Sequence, residues 1–285
     1  MPAAKARLRQ PSLLRSGTSS VSLFSGSSGN SIHVEGEEAA LLVDVGVSCR
    51  RLEKALAAVG SHPGSIDGIL ITHEHSDHVA GLDVFCRRHA VPVYINRRSW
   101  AAVSRRLPDP AAIDVRFVEP GESLTIGDLT VRSFPTPHDA AEPVGWRIES
   151  RRQTVAVMTD IGCFDDGLFA AVAGADILYI EANYDPEMLR IGPYPWPLKE
   201  RIRSSHGHLS NEDSADAIAR LIRAGSRTFV LSHLSETNNV PELAELTVSR
   251  RLQDHGLIQG RDYRLLVAPR YHSGERIGPA FQGQS

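Results

Sequence analysis

One seven-residue segment constrains this chain more than any other, because it gathers histidines and carboxylates where an apolar strand gives way to a helix. Residues 72–78 read Thr-His-Glu-His-Ser-Asp-His, after an apolar run and before apolar positions at helical spacing. Imidazole nitrogens and carboxylate oxygens suit Zn²⁺ and similar divalent ions. At a strand-to-helix turn, alternate side chains can face one cavity, so we expect a metal site at this turn.

The remaining ligands of such a site have to come from distant strands. The zinc-protease pattern HExxH is excluded, because Asp77 and not a second histidine lies four residues after His73. Three further candidates end or follow apolar strands, namely His138, Asp160 and His233. Two of them allow a simpler interpretation, since Asp160 could cap a helix and His138 could be an ordinary loop histidine in a proline-rich segment. Their common position at strand ends favours the metal site.

The order of the elements predicts an α/β fold with two sheets. Three short strands form a meander, and a helix and a strand-helix-strand unit follow them. A second series of strands repeats this plan and ends in continuous apolar runs, which are typical of strands covered on both faces. The main predicted strands and helices are 21–24, 31–35, 40–44, 66–72, 91–95, 129–134, 144–148, 155–158, 177–180, 228–231 and 263–267, and 77–89 and 241–255. Two strand-rich halves, each completed by helices, predict a four-layer αββα sandwich.

Composition and the absence of an obvious linker favour a single domain. Of the 285 residues, 41% are hydrophobic and 23% are charged, as in an ordinary globular protein. No linker rich in proline, glycine and serine divides the predicted elements. We expect one domain over residues 19–275, a flexible N-terminal tail over 1–18 and a C-terminal tail over 276–285.

Several classes of protein are excluded by what the sequence lacks. No apolar run approaches the roughly 18 residues of a membrane span, and the N-terminus lacks the apolar core of a secretory signal. Three widely spaced cysteines give no disulfide framework, so we expect a cytoplasmic protein. The net charge of −3 means that any nucleic acid would be bound by a local basic patch.

The ordered ligand candidates resemble the five motifs of the metallo-β-lactamase superfamily. The residues that carry the resemblance are Asp44, His73, His75, Asp77, His78, His138, Asp160 and His233. They occur in the order and structural setting of the family, over roughly residues 20 to 270. The resemblance implies the αββα fold and a hydrolase in which two divalent metal ions activate a water molecule. Zn²⁺ is the expected metal, although Mn²⁺ and Fe²⁺ suit the same ligands.

The family pattern also implies a role for each of these residues. It assigns His73, His75 and His138 to the first metal ion. It assigns Asp77, His78 and His233 to the second ion, and Asp160 to a bridging position. Asp44 is expected to orient a ligand histidine without touching metal.

A basic segment with two further histidines distinguishes between branches of the family. Lys199, Arg201 and Arg203 precede His206 and His208. A helix is predicted to begin at position 210, with an acidic residue at 213 in the capping-box position. Free amide groups at a helix start favour an anion.

This segment resembles that of nucleic-acid-processing members of the family. Residues 207–211, Gly-His-Leu-Ser-Asn, resemble a phosphate-contacting element of ribonuclease J, and segments 24–31, 143–146 and 232–239 match the compact YycJ-like (WalJ) branch. The resemblance implies an exonuclease that acts on DNA from a 5′ end, with His208, Ser210 and Asn211 binding phosphate. Asp77, Asp160 and His208 are then the catalytic residues. The simpler interpretation is that His208 packs at the helix entrance.

Two questions remain open from sequence. A hydrolase of a small lactone, thioester or cyclic phosphodiester is the alternative to a nuclease, because one dinuclear site can act on acyl and phosphoryl groups. The segment 194–196, Tyr-Pro-Trp, could stack bases or form a stiff lid. We expect DNA ends as partner and no membrane. Metal identity, DNA or RNA, polarity and oligomeric state are not readable from the sequence.

Overall fold

Two β-sheets run through the part of the chain described by the computed structural model, residues 18–278. In spatial order, the first sheet contains β1 (Ser19–Phe24), β2 (Ser31–Glu35), β3 (Ala40–Val43), β4 (Gly68–Leu70), β5 (Val93–Ile95) and β6 (Val115–Phe117). The second contains β7 (Ser123–Ile126), β8 (Leu129–Pro135), β9 (Val144–Glu149), β10 (Thr154–Met158), β11 (Ile177–Glu181), β12 (Thr228–Ser232) and β13 (Arg264–Val267).

Both sheets begin antiparallel and end parallel. Strands β1 to β3 pair antiparallel and β3 to β6 parallel, while β7 to β10 pair antiparallel and β10 to β13 parallel. The carboxyl ends of parallel strands collect at one edge of a sheet, which is where open α/β sheets bind ligands.

Helices cover the outer face of each sheet. The helices of the described residues are α1 (Cys49–Ala58), α2 (Ser76–Val79), α3 (Leu82–His89), α4 (Arg97–Ser104), α5 (Asp166–Val172), α6 (Pro186–Ile191), α7 (Trp196–Arg203), α8 (Asn211–Arg223) and α9 (Pro241–Asp254). One apolar cluster joins α1, α3 and α4 to the first sheet, a second joins α5, α8 and α9 to the second sheet, and a third lies between the sheets. Three apolar layers separate four layers of structure, so the predicted αββα sandwich is confirmed.

Strand alternation decides which side chains face the space between the sheets. In β11, Ile177 and Tyr179 belong to the cluster between the sheets, while Leu178 and Ile180 face the helices. Glu181, the last residue of β11, continues the inner row and is fully buried. The carboxylate of Glu181 is therefore buried at the carboxyl end of this strand.

One predicted helix is divided in the structure. The helix predicted over 77–89 is two helices, α2 and α3, because the chain bends at Gly81, whose N–H donates to Val45 O over 2.8 Å. A Cβ at this glycine would lie 2.1 Å from Val47 O, so the close approach requires glycine.

The chain ends also differ from expectation where they are described. Thr18, predicted to belong to a flexible tail, is buried and its hydroxyl donates to Ser150 Oγ over 2.6 Å. Ile277, predicted to lie in the C-terminal tail, is buried and pairs with Ser20 in β1. Buried residues therefore occur on both sides of 19–275, while the rest of the predicted tails, 1–17 and 279–285, lies outside the described residues. Within 18–278, none of the helices has the length and apolar character needed to cross a bilayer.

Candidate metal centre

The His-rich turn lies between β4 and α2, at the shared edge of the two sheets. Its backbone is fixed from the neighbouring strand, because Asp44 at the end of β3 accepts hydrogen bonds from the Thr72 N–H at 2.8 Å and the Thr72 hydroxyl at 2.9 Å. Helix α2 then begins after His75. The turn thereby directs the side chains of His73, His75, Asp77 and His78 to one place.

A first ligand group consists of His73, His75 and His138. His75 Nδ1 lies 3.1 Å from His73 Nε2 and 3.4 Å from His138 Nε2. Two ligand atoms at tetrahedral positions roughly 2.0–2.1 Å from one ion are separated by about 3.3 Å, so these spacings fit a single ion. Burial lowers the pKa of His73 well below its ordinary value and lowers that of His75, which keeps both imidazoles in the neutral form that binds metals.

A second ligand group consists of Asp77, His78 and His233. Asp77 Oδ2 lies 3.5 Å from His78 Nε2 and 3.3 Å from His233 Nε2. These spacings also fit one ion, and the group supplies one carboxylate and two imidazoles. His233 comes from the end of β12, so it is the second sheet that completes this group.

The carboxylate of Asp160 lies between the two groups. Its Oδ1 is 3.8 Å from His138 Nε2, and its Oδ2 is 3.3 Å from His78 Nε2. Oδ2 is buried and has no hydrogen-bond partner. A buried carboxylate whose two oxygens face different ligand groups, and whose Oδ2 has no hydrogen-bond partner, fits a cation on either side. The alternative of a helix cap fails because Asp165 caps α5.

Three of the ligand histidines are held from behind through Nδ1. His78 Nδ1 lies 2.7 Å from Asp44 Oδ2, His138 Nδ1 lies 3.0 Å from Gly207 O, and His73 Nδ1 lies 3.0 Å from the Thr72 hydroxyl. An Nδ1 engaged in this way leaves Nε2 free to bind an ion and fixes the plane of the ring. Asp44 was expected to orient a ligand histidine, and its contact with His78 is of this kind.

Buried carboxylates give the site a field that favours cations. Burial acts to lower the pKa of His233, but Asp160, Asp77 and Glu181 outweigh it and raise the pKa to about 10. Burial likewise opposes the charge on His78, yet Asp160 and its neighbours raise the His78 pKa well above the ordinary value. Burial would raise the pKa of Asp160, but His233 and His78 hold it well below its usual range. Asp160 therefore stays ionised, which is the form that binds a cation.

Strained backbone occurs at the same positions. Asp44, Asp160 and His233 have φ angles of 62°, 58° and 56°, in the left-handed region that side chains other than glycine rarely adopt. Each follows the last residue or residues of a strand and is buried. Such strain costs of order 1–3 kcal/mol per residue and persists where surrounding structure enforces it, most often at functional sites.

Glu181 is part of the site although the sequence analysis did not identify it. Its Oε1 lies 2.8 Å from both His208 Nδ1 and His233 Nδ1, and its Oε2 accepts from the N–H groups of Ile161 at 2.8 Å and Leu209 at 3.3 Å. One fully buried carboxylate thus holds a ligand histidine and His208 side by side. The signal in the sequence was an acidic residue that ends an otherwise apolar strand.

The structure brings His208 to the metal centre. The two other predicted phosphate ligands, Ser210 and Asn211, form hydrogen bonds with other residues. The His208 ring lies 5.1 Å from that of His138 and 5.3 Å from that of His233, centroid to centroid. Ser210 caps α8, and its hydroxyl donates to Asp213 while accepting from the Asp213 N–H.

Asn211, the second of these residues, is fully buried. Its side-chain amide exchanges two hydrogen bonds with Asn239, at 3.1 and 2.8 Å, and its N–H donates to Tyr184 O. Ser210 and Asn211 therefore stabilise the start of α8, and binding phosphate would require breaking these contacts. Their role as phosphate ligands stays a prediction.

Comparison with known proteins agrees with the fold. A sequence model of the β-lactamase superfamily domain matches residues 40–234. Exodeoxyribonuclease WalJ of Streptococcus pneumoniae is 40% identical over 245 residues, which are 85% of this chain and 91% of that protein. Exodeoxyribonuclease YycJ of Bacillus anthracis is 39% identical over 244 residues, or 85% and 92% of the two chains.

Solved structures show the same architecture at lower identity. The metallo-β-lactamase fold protein YhfI from Bacillus subtilis superposes with a TM-score of 0.69 at 17% identity, over 90% of this chain and 99% of that chain. The resemblance noted from the ordered motifs is thereby confirmed. With a family match over more than half of its length and two relatives near 40% identity, the chain belongs to the β-lactamase superfamily and has the metallo-β-lactamase fold.

Proposed function

We propose that the chain is a metal-dependent exodeoxyribonuclease that removes nucleotides from the 5′ end of DNA. The observation that carries the proposal is the convergence of the two ligand groups, with Asp160 between them and His208 beside them. The two relatives near 40% identity, each covered over more than nine tenths of its length, are both named exodeoxyribonucleases. Neither fact depends on the other.

The ligand groups suit a pair of divalent ions. His73, His75 and His138 would hold one ion, and the carboxylate of Asp160 would approach both. When bound, two such ions lower the pKa of a water molecule and neutralise charge on a phosphate group. Zn²⁺ is our first choice because imidazole dominates the site, and Mn²⁺ or Fe²⁺ also suits these ligands.

His208 is placed to act on the substrate. Glu181 engages its Nδ1, which leaves Nε2 as the nitrogen available to a phosphate oxygen or a leaving oxygen. Burial would lower the pKa of His208, but Glu181 outweighs it and raises the pKa, which favours the proton-donating form. His208 therefore binds the scissile phosphate and protonates the oxygen that leaves, and Asp77 and Asp160 complete the catalytic residues.

Two variants test these assignments. His75→Ala removes a proposed metal ligand and should abolish turnover and lower the metal content by elemental analysis. His208→Ala should retain the metal content and lower kcat roughly 10²- to 10⁴-fold, the usual contribution of general acid-base catalysis. Wild-type turnover in His208→Ala would remove this residue from the mechanism.

Substrate class is tested by comparison of labelled substrates. Metal-loaded protein should shorten DNA labelled at the 3′ end one nucleotide at a time from the other end, and a rise in salt should weaken the reaction because phosphate contacts release counterions. Intact DNA together with rapid opening of a lactone would contradict the proposal and favour the small-molecule alternative.

We also propose a cytoplasmic location. The three cysteines are all free, as is usual in a reducing compartment, and this is the compartment in which bacterial DNA is found. Fractionation of cells that express the chain at its natural level would test this. Recovery from the culture medium would contradict it.

A further inference from the structure

The hairpin formed by α6 and α7, residues 186–203, presents large apolar side chains to solvent. Trp196 is 63% exposed and Ile191 is 72% exposed. Of the three tryptophans in the chain, Trp146 is fully buried and Trp100 is half-buried, so Trp196 differs from both. Single exposed apolar residues are common, but a tryptophan indole carries a large apolar area, and its exposure on a rigid element suggests a ligand.

The hairpin is held in one shape. Lys199 Nζ donates to Arg190 O over 2.7 Å and to Gly192 O over 2.8 Å, which ties α7 to the end of α6. The Tyr194 hydroxyl donates to Thr237 Oγ1 over 3.2 Å. Buried side chains of Tyr184, Leu189 and Ile202 lie beneath the hairpin. A side chain on such a support loses little conformational freedom when it binds a ligand.

Helix α7 connects Trp196 to the metal centre. The carbonyl of Ile202 accepts the N–H of His208 over 2.9 Å, and Arg201 forms an ion pair with Asp139, the residue after the ligand His138. Trp196 lies six residues before Ile202, or about 9 Å along the helix axis at 1.5 Å per residue. Stacked nucleotides are spaced by about 3.4 Å, so a strand that ran along this part of α7 would cover it with two or three nucleotides.

The charge of the hairpin fits a polyanion. From Glu187 to Arg203 it carries four cationic residues, Arg190, Lys199, Arg201 and Arg203, and two carboxylates, Glu187 and Glu200, a net charge of +2. Arg203 is exposed and makes no ion pair with any of residues 18–278. Arg190 is paired with Glu187 and Arg201 with Asp139. Arg203 is therefore the cation of the hairpin that is most available to a phosphate group.

From these contacts we infer that Trp196 stacks on a base of the DNA strand, two or three nucleotides from the scissile phosphate. The inference rests on the proposed exodeoxyribonuclease function and adds a residue that binds the strand beside the metal centre. An aromatic ring accepts any base, so the contact is independent of sequence. A stacked base is worth about a 5- to 150-fold change in affinity.

The test uses the full metal-loaded chain and 5′-phosphorylated oligodeoxythymidine with a single abasic nucleotide at each of the first four positions. In the wild type, one abasic position, the second or third, should raise KM more than the others. Trp196→Ala should raise KM for the complete strand by about 5- to 150-fold and remove the additional effect of that abasic position. Trp196→Phe should recover most of the loss, and Leu246→Ala on α9 is the control for loss of an exposed apolar side chain.

A second measurement does not require turnover. A base stacked on Trp196 should quench its fluorescence when the oligonucleotide binds, and Trp196→Phe should abolish the quenching while Trp100 and Trp146 still emit. If the wild type cleaves DNA but Trp196→Ala keeps its KM, or changes only kcat as a lid would, the stacking inference is wrong. If no DNA is cleaved but quenching occurs, the proposed nuclease function is wrong and the stacking stands.

Discussion

Replacement of Glu181 by glutamine tests whether one buried carboxylate holds the metal centre and His208 together. The two oxygens of Glu181 have separate tasks, since Oε1 accepts from both imidazoles and Oε2 accepts from two backbone N–H groups. Glutamine has the same shape but only one acceptor atom. Whichever way the amide turns, its NH₂ group faces a pair of donors.

The magnitude follows from the bonds that are lost. Leaving a buried donor without an acceptor costs about 1–3 kcal/mol, so two such donors cost about 2–6 kcal/mol. If the NH₂ group faces the backbone, the cost appears in the free energy of unfolding. If it faces the imidazoles, His208 and His233 lose their orientation, and loss of such a partner typically lowers metal affinity or activity by about 10- to 100-fold.

Three measurements on Glu181→Gln separate these outcomes: urea unfolding, metal content and kcat/KM on DNA. Glu245→Gln, an exposed carboxylate on α9, is the matched control and should behave as the wild type. We expect either reduced stability or reduced metal content and activity. A folded variant with wild-type values of all three quantities would refute the role assigned to Glu181.

Two further predictions concern Gly46, which packs against the second ligand group, and Asp128, which binds the turn between two strands. Gly46→Ala would place a Cβ 1.6 Å from Asp77 O, so we expect a loss of stability of about 1–3 kcal/mol by urea unfolding and a loss of metal at the second ligand group, whereas Gly278→Ala enters open space and should be neutral. Asp128 accepts three N–H groups of residues 37–39, and although burial acts to raise its pKa, these bonds lower it. Asp128→Asn should therefore cost about 1–2 kcal/mol at pH 7. Because the folded pKa is depressed, the difference should persist down to about pH 4 and shrink as pH falls through the lowered pKa; a constant difference down to pH 3 would contradict this.

The convergence of the candidate metal ligands was predictable because each ends or follows an apolar strand. His73 and His75 follow a buried strand, and Asp160 and His233 also end apolar runs. Parallel strands place their carboxyl ends at one edge, so residue type and position in the strand together predict a shared site. The break of the predicted helix at Gly81 was not predictable, because its cause is a loop 34 residues earlier, at Val47.

Glu181 and Asn211 show the two ways in which the prediction of the site was incomplete. Glu181 ends β11 on the inner row, so strand alternation alone would have placed it between the sheets; its partners His208 and His233 lie 27 and 52 residues away. Asn211 was expected at the substrate because it follows a histidine and a serine. Its actual partner, Asn239, lies 28 residues away and could not be read from a local pattern.

Backbone conformation explains why the same edge of the fold can hold so many ligands. An extended strand points successive side chains to opposite faces, so a residue that continued β10 or β12 would not turn toward its neighbour on the other sheet. A left-handed φ at Asp160 and at His233 ends the strand abruptly and redirects the chain there. Each such turn costs energy that the burial of the surrounding strands has to outweigh. Those strands consist almost entirely of buried apolar residues, and this explains why an active centre with so little apolar packing of its own lies at the end of the most hydrophobic segments of the chain.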